Sequence, residues 1–83
     1  MYEIVFTDSA KKELLALDQE TQIRIIQVLE RISIRPHRFV LRLSGSKAYR
    51  LRVRKIRLIL DINQTALRIE VLKVGNRETI YFP

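Results

Sequence analysis

The sequence predicts an α+β domain: an N-terminal strand and a two-helix hairpin packed on one face of a mainly antiparallel sheet of four to five strands. Three observations carry this. The stretch Ala48–Leu60 (AYRLRVRKIRLIL) alternates apolar and basic residues at the period of a strand, and breaks once at Arg54-Lys55. Ile25, Val28, Leu29 and Ile32 recur at helical spacing. Turn-forming clusters separate the segments at Ser44-Gly45-Ser46 and Asn63-Gln64-Thr65. At 83 residues the chain has room for one core, so residues 1–83 form a single domain.

The elements follow in order. Tyr2–Phe6 reads as the first strand. Thr7, Asp8 and Ser9 are N-cap types, opening a helix to about Leu17 with Ala10, Leu14 and Leu17 on one side. Asp18 caps a second helix reaching about Ser33, with Ile26 widening its apolar stripe and Glu20 and Arg31 placed favourably for the helix dipole. Pro36 disfavours helical geometry at Arg35 and ends the run. Residues 37–46 form a connection, part of it extended against the sheet edge through alternating Phe39, Leu41 and Leu43. Two strands follow, with Tyr49, Leu51 and Val53 on one face and Arg50, Arg52 and Arg54 on the other. Beyond their turn, Ile56, Leu58, Leu60 and Ile62 share the apolar face and Arg57 lies opposite. Leu67–Val74 is the next strand, with Leu67, Ile69 and Val71 inward and Leu72 and Val74 outward near Ile59. Gly75-Asn76 is read as a turn and Thr79–Phe82 as a short last strand.

Charge is concentrated in one segment. The net charge is +7, and no acidic residue occurs between Ile32 and Leu60, where nine basic residues stand. The rest of the chain carries seven basic and nine acidic groups. A solvent-facing strand usually mixes threonine, serine, lysine and glutamate, whereas here the outward positions are all arginine. Such a field suits a polyanion or an acidic partner protein. The absence of cysteine excludes disulfides and thiolate metal sites. No apolar run approaches a membrane span and no signal-peptide layout appears, so the expected location is the cytoplasm.

Metal chemistry has no ligand set, since His37 is the sole histidine and no carboxylates cluster at ligand spacing; no cofactor is expected. Nucleophile motifs, phosphate loops and dinucleotide fingerprints are absent. The arginines remain. A guanidinium presents a planar fork of donors matched to phosphate oxygens and stays charged. Several on one face would hold an RNA backbone and stabilise a pentacoordinate phosphorus, with the 2′-hydroxyl of RNA as nucleophile. Tyr81 supplies a phenol that stacks on a base or exchanges a proton. Physical chemistry alone leaves this reading level with the plainer one, in which the arginines only bind and Tyr81 is a core aromatic.

The run Tyr49-Arg50-Leu51-Arg52-Val53, then Ile56-Arg57-Leu58-Ile59, then Val71-Leu72-Lys73-Val74-Gly75-Asn76-Arg77-Glu78 and Tyr81 resembles the RelE/ParE superfamily of toxin–antitoxin toxins. The likeness extends over nearly the whole chain and implies the RelE-like fold, which resembles that of microbial ribonucleases. It implies a ribosome-dependent endoribonuclease that needs no metal, cleaves mRNA in the A site, and is neutralised by a cognate antitoxin, acidic where it wraps the basic face. By the same resemblance Arg50, Arg52, Arg57, Arg77 and Tyr81 are the catalytic set; Arg42, Lys47, Arg54 and Lys55 of the basic segment are expected as further RNA-binding residues. RelE-type sites carry lysines where Arg50 and Arg52 stand; arginine does not readily release a proton, so an electrostatic role is expected here. Two alternatives stay open: a ParE-like inhibitor of DNA gyrase, and a non-catalytic RNA-binding module.

Overall fold

A computed structural model of the chain describes residues 1–76. Five strands form one sheet in the order β1-β5-β4-β3-β2. They are β1 (Glu3–Phe6), β2 (Leu41–Arg42), β3 (Tyr49–Val53), β4 (Ile56–Asn63) and β5 (Arg68–Asn76). The helices α1 (Asp8–Leu15) and α2 (Gln19–Ile32) follow β1, and a 3₁₀ turn at Pro36–Arg38 leads into β2. All neighbouring strands are antiparallel except β1 and β5, which run parallel. The predicted fold class is therefore observed.

Both helices begin on side-chain caps. Thr7 Oγ1 accepts from Ala10 N at 3.1 Å, and Asp18 Oδ2 accepts from Thr21 N at 3.1 Å. The Thr21 hydroxyl also donates to Asp18 Oδ1 at 2.7 Å. These bonds hold the Asp18 carboxyl below its ordinary value of 3.8, with a small further contribution from Arg54. The link between the helices is closed by Gln22, whose Nε2 donates to Leu17 O at 2.7 Å. At the other end of α2, Tyr2 N donates to Ser33 O at 2.8 Å, tying the start of β1 to the helix.

Ala10 and Leu14 of α1 and Ile25, Leu29 and Ile32 of α2 meet Leu51, Val53, Ile56, Leu58, Leu60, Ile69, Val71 and Val74 of the sheet in one buried cluster. Burial explains the period of α2: its inward positions are those the 3.6-residue repeat brings onto the sheet. Ile26 does not widen that stripe. It is exposed alongside Ile23, on the flank of the helix.

β1 is short, and its pairing with β5 ends at Phe6↔Val71. Helix α1 takes over the exposed edge of β5 beyond that point. Thr7 N donates to Val71 O at 3.0 Å, and Glu13 Oε1 accepts from Val74 N at 2.9 Å. An unpaired strand edge is thereby covered without a further strand.

Several expected boundaries shift. The first helix ends at Leu15 rather than Leu17. The β4–β5 connection runs through Leu67, which adopts φ 53° and is exposed; Asn63 Oδ1 closes this loop by accepting from Ala66 N at 2.9 Å. Gly75 and Asn76 are not a turn: they pair with Arg57 and Ile56, because β4 is laddered down to its first residue and needs partners there. Val74 faces the core beside Leu58, not outward. A β-bulge on β5 near Leu72, opposite Ile59 and Leu60, shifts the alternation by one and restores Val74 to the inner face. The expected strand at Thr79–Phe82 lies outside the described residues.

Leu29 is fully buried at the centre of the helix–sheet contact. Leu29→Ala is expected to lower the unfolding free energy by about 2–5 kcal/mol in denaturant titration, as truncation of a buried leucine does.

Candidate phosphate-binding face

The face of the sheet turned away from the helices is fixed by register, since residues directly opposite in a ladder project to the same side. Two rows cross it. Arg52, Arg57 and Gly75 form one; Arg50, Ile59 and Lys73 form the next. Four cations thus share one end of this face, on three adjacent strands. Arg52 is exposed, and Arg50 and Arg57 are half-buried. Gly75, opposite Arg57 in the ladder, contributes no side chain to its row. Ile59 is 2% exposed although it lies outside the helix-side core, giving the cationic rows an apolar floor.

The charge changes sign along the strands. The row beyond Ile59 holds Asp61, Glu70 and Val5, and the next holds Asn63 and the pair Arg68–Glu3 at 3.5 Å. The basic field is therefore confined to the end of the face nearest the β3–β4 hairpin. Among the described residues, neither Arg50 nor Arg52 forms an ion pair. Arg50, half-buried, and Arg52, exposed, present guanidinium donors suited to an anion that carries several oxygens.

Not every predicted residue joins this cluster. Arg50, Arg52 and Arg57 do. Arg54 does not: it sits in the hairpin turn with φ 55°, and its guanidinium reaches Glu20 of α2 at 3.6 Å, on the helix side. The left-handed conformation at Arg54 ends the alternation that sequence reading extended through it. Arg42 is opposite Tyr49 in the β2–β3 ladder, so it too belongs to the helix side of the sheet. Lys47 lines an open cavity of about 530 Å³ in the β2–β3 loop with Arg42 and Ser44–Ser46, and Lys55 occupies the tip of the β3–β4 hairpin. Arg77 and Tyr81 lie outside the described residues.

Lys73 is the member that sequence reading missed. Strict alternation from Ile69 and Val71 places it inward, where a lysine is costly. The signal was present in Val71-Leu72-Lys73-Val74, where two adjacent apolar residues precede the lysine and the alternation slips. His37, the sole histidine, packs edge-on against Tyr49 with ring centroids 5.3 Å apart. Among the described residues, no group of three or more histidine or carboxylate side chains is placed to hold a metal ion, and no helix is long and apolar enough to cross a membrane.

Arg52 and Arg57 are directly opposed in the ladder. Like charges in such a pair are destabilising by up to about 1 kcal/mol. Arg52→Thr is accordingly expected to raise the melting temperature at low ionic strength, with the gain shrinking as salt is added. Thermal melts of the two proteins at low and high salt measure this directly.

No protein-family profile matches the sequence, and no curated protein sequence matches it either. Solved structures do. The chain is similar to a RelBE toxin–antitoxin complex from Mycobacterium tuberculosis, with TM-score 0.81 and 23% identity over 92% of this chain and 98% of that one. A chain of the intact E. coli RelBE complex aligns with TM-score 0.79 and 21% identity, covering 92% of this chain and 96% of its own. The archaeal RelE–RelB complex from Pyrococcus horikoshii gives TM-score 0.79 at 23% identity, over 95% and 98% of the two chains. Each match spans nearly the whole of both chains, and the chain has the RelE fold.

Proposed function

We propose that this protein is the toxin of a toxin–antitoxin pair and that its basic sheet face cleaves mRNA in the ribosomal A site. The observation that carries this reading is the gathering of Arg50, Arg52, Arg57 and Lys73 on one face of the sheet in a RelE fold. In the proposed reaction the 2′-oxygen of the nucleotide attacks the adjacent phosphorus, and the bond to the 5′-oxygen breaks. The 2′-proton is lost and the departing 5′-oxygen gains one, leaving a 2′,3′-cyclic phosphate and a 5′-hydroxyl. Phosphorus passes through a state with added negative charge on its equatorial oxygens, and fixed guanidinium donors stabilise that state more than the starting diester. Arg50 and Arg52 act through charge, since arginine does not exchange protons at neutral pH. Arg57 contacts the scissile phosphate. Arg77 adds a further guanidinium to the proposed set, and the Tyr81 phenol is the member able to exchange a proton.

The partner in this reading is an antitoxin whose wrapping segment is acidic. The structural neighbours were solved as RelB–RelE complexes, and a segment that cancels this field must bring negative charge to it. The ribosome supplies the geometry of the messenger, so the protein itself has only to position the 2′-hydroxyl and neutralise charge.

Translating ribosomes programmed with a defined messenger, mixed with the purified protein, test this. Cleavage is expected within the A-site codon, with products bearing a 2′,3′-cyclic phosphate or 3′-phosphate and a 5′-hydroxyl. Fragments with 5′-phosphate ends, or an intact messenger with stalled gyrase in cells instead, would overturn it.

A further inference from the structure

The register that removes Arg42 from the sheet face gives it other neighbours. Arg42 stands opposite Tyr49 on the helix side of the β2 edge, and His37 of the 3₁₀ turn packs against the same tyrosine. That contact sets the turn, flanked by Arg35 and ending at Arg38, against Tyr49 of β3, the residue opposite Arg42 of the edge strand. Arg35, Arg38 and Arg42 are all exposed, and among the described residues none of them forms an ion pair. Phe39 closes the turn with 55% of its surface exposed. An aromatic side chain left in solvent among free guanidiniums is unexplained by the core and unused by the sheet-face chemistry.

We propose that this edge is a second RNA-binding surface, taking single-stranded RNA with its phosphates on Arg38 and Arg42 and a base stacked on Phe39. Single strands are held by a cationic track with aromatic platforms for the bases, and both components are present here. An acidic polypeptide is the competing partner. Strand addition would be its natural mode at a sheet edge, but β2 is only two residues long and offers almost no ladder to extend. β2 is also the edge strand next to β3, roughly 4.8 Å away, and Arg50 lies on the opposite side of β3. RNA leaving the sheet face over that edge arrives directly at Arg42. The choice of RNA as the polyanion rests on the reading under Proposed function; the geometry of the surface does not.

Binding of a fluorescein-labelled 2′-O-methyl dodecauridylate tests the proposal. This probe has no nucleophilic hydroxyl, so binding is read whether or not the protein is a nuclease. Anisotropy titrations across a salt series are compared for four proteins: wild type, Arg38→Ala/Arg42→Ala, Phe39→Ala, and Arg24→Ala/Arg31→Ala. The last removes equal charge from exposed positions of α2. Loss of two phosphate contacts is expected to lower the slope of log affinity against log salt by about 1.4, at about 0.7 per contact on single strands. Phe39→Ala is expected to weaken binding about fivefold or more, equally at low and high salt, because stacking is not screened. The α2 control should keep the wild-type slope. An edge double variant indistinguishable from that control, or Phe39→Ala binding like wild type, would overturn the proposal. So would displacement of the probe by equimolar polyglutamate, which would make the edge a protein site. Messenger cleavage on ribosomes reads the sheet face separately, so the two readings fail independently.

Discussion

The register of the β3–β4 hairpin decides which side chains serve the core and which face solvent as a charged surface. Val53 pairs with Ile56 across the turn Arg54-Lys55, and every later pair follows from that closure. The turn is possible because Arg54 accepts φ 55°, a conformation that hairpin loops of two residues favour for its match to strand twist. With the register set, Leu51 and Leu58 face the helices while Arg50, Arg52 and Arg57 face away. A slip of one residue would send the arginines into the core and the leucines into water. The helices enforce the choice by burying the inner face, and the Arg54–Glu20 pair ties the hairpin tip to the start of α2.

That arrangement sets stability against function. Opposing Arg52 to Arg57 sets two like charges side by side, an unfavourable ladder pair, and Arg50 and Lys73 flank Ile59 in the next row. Burial on the other face offsets this cost: Ile25, Leu29, Leu58, Leu60, Ile69 and Val71 have essentially no exposed surface. A small domain has little stability to spare, and the anionic ligand proposed above would give these cations a reason to share one face. Binding such an anion would stabilise the fold by mass action.

Much of this was legible in the sequence, because burial follows period. The inward residues of α2, both N-caps and the alternation of β3 with early β4 match, and the fold class comes with them, while Ile26 lies on the exposed flank of its helix. In the sheet, the readings that fail do so where the backbone leaves its regular path. The left-handed turn at Arg54 redirected one predicted cation, and the bulge near Leu72 exchanged the faces of Lys73 and Val74. The face that Arg42 takes is not readable from the sequence, because pairing register between a two-residue edge strand and its neighbour leaves no periodic trace there. The cluster of Arg50, Arg52 and Arg57 was recoverable since a single hairpin carries all three; Lys73, brought by a strand far along the chain, was not.

In the proposed reaction, guanidiniums on the sheet face stabilise a transition state rather than merely hold RNA. Single-turnover cleavage by Arg57→Ala and Arg57→Lys at saturating ribosomes, measured beside their ribosome affinity, separates the two roles. Arg57→Ala is expected to lose about a hundredfold or more in rate, as removal of one preorganised donor does, with affinity changed far less. Arg57→Lys should recover only part of the rate, because a point charge lacks the bidentate fork. A rate near that of the wild type for Arg57→Ala, or a loss in affinity that accounts for the whole defect, would contradict it.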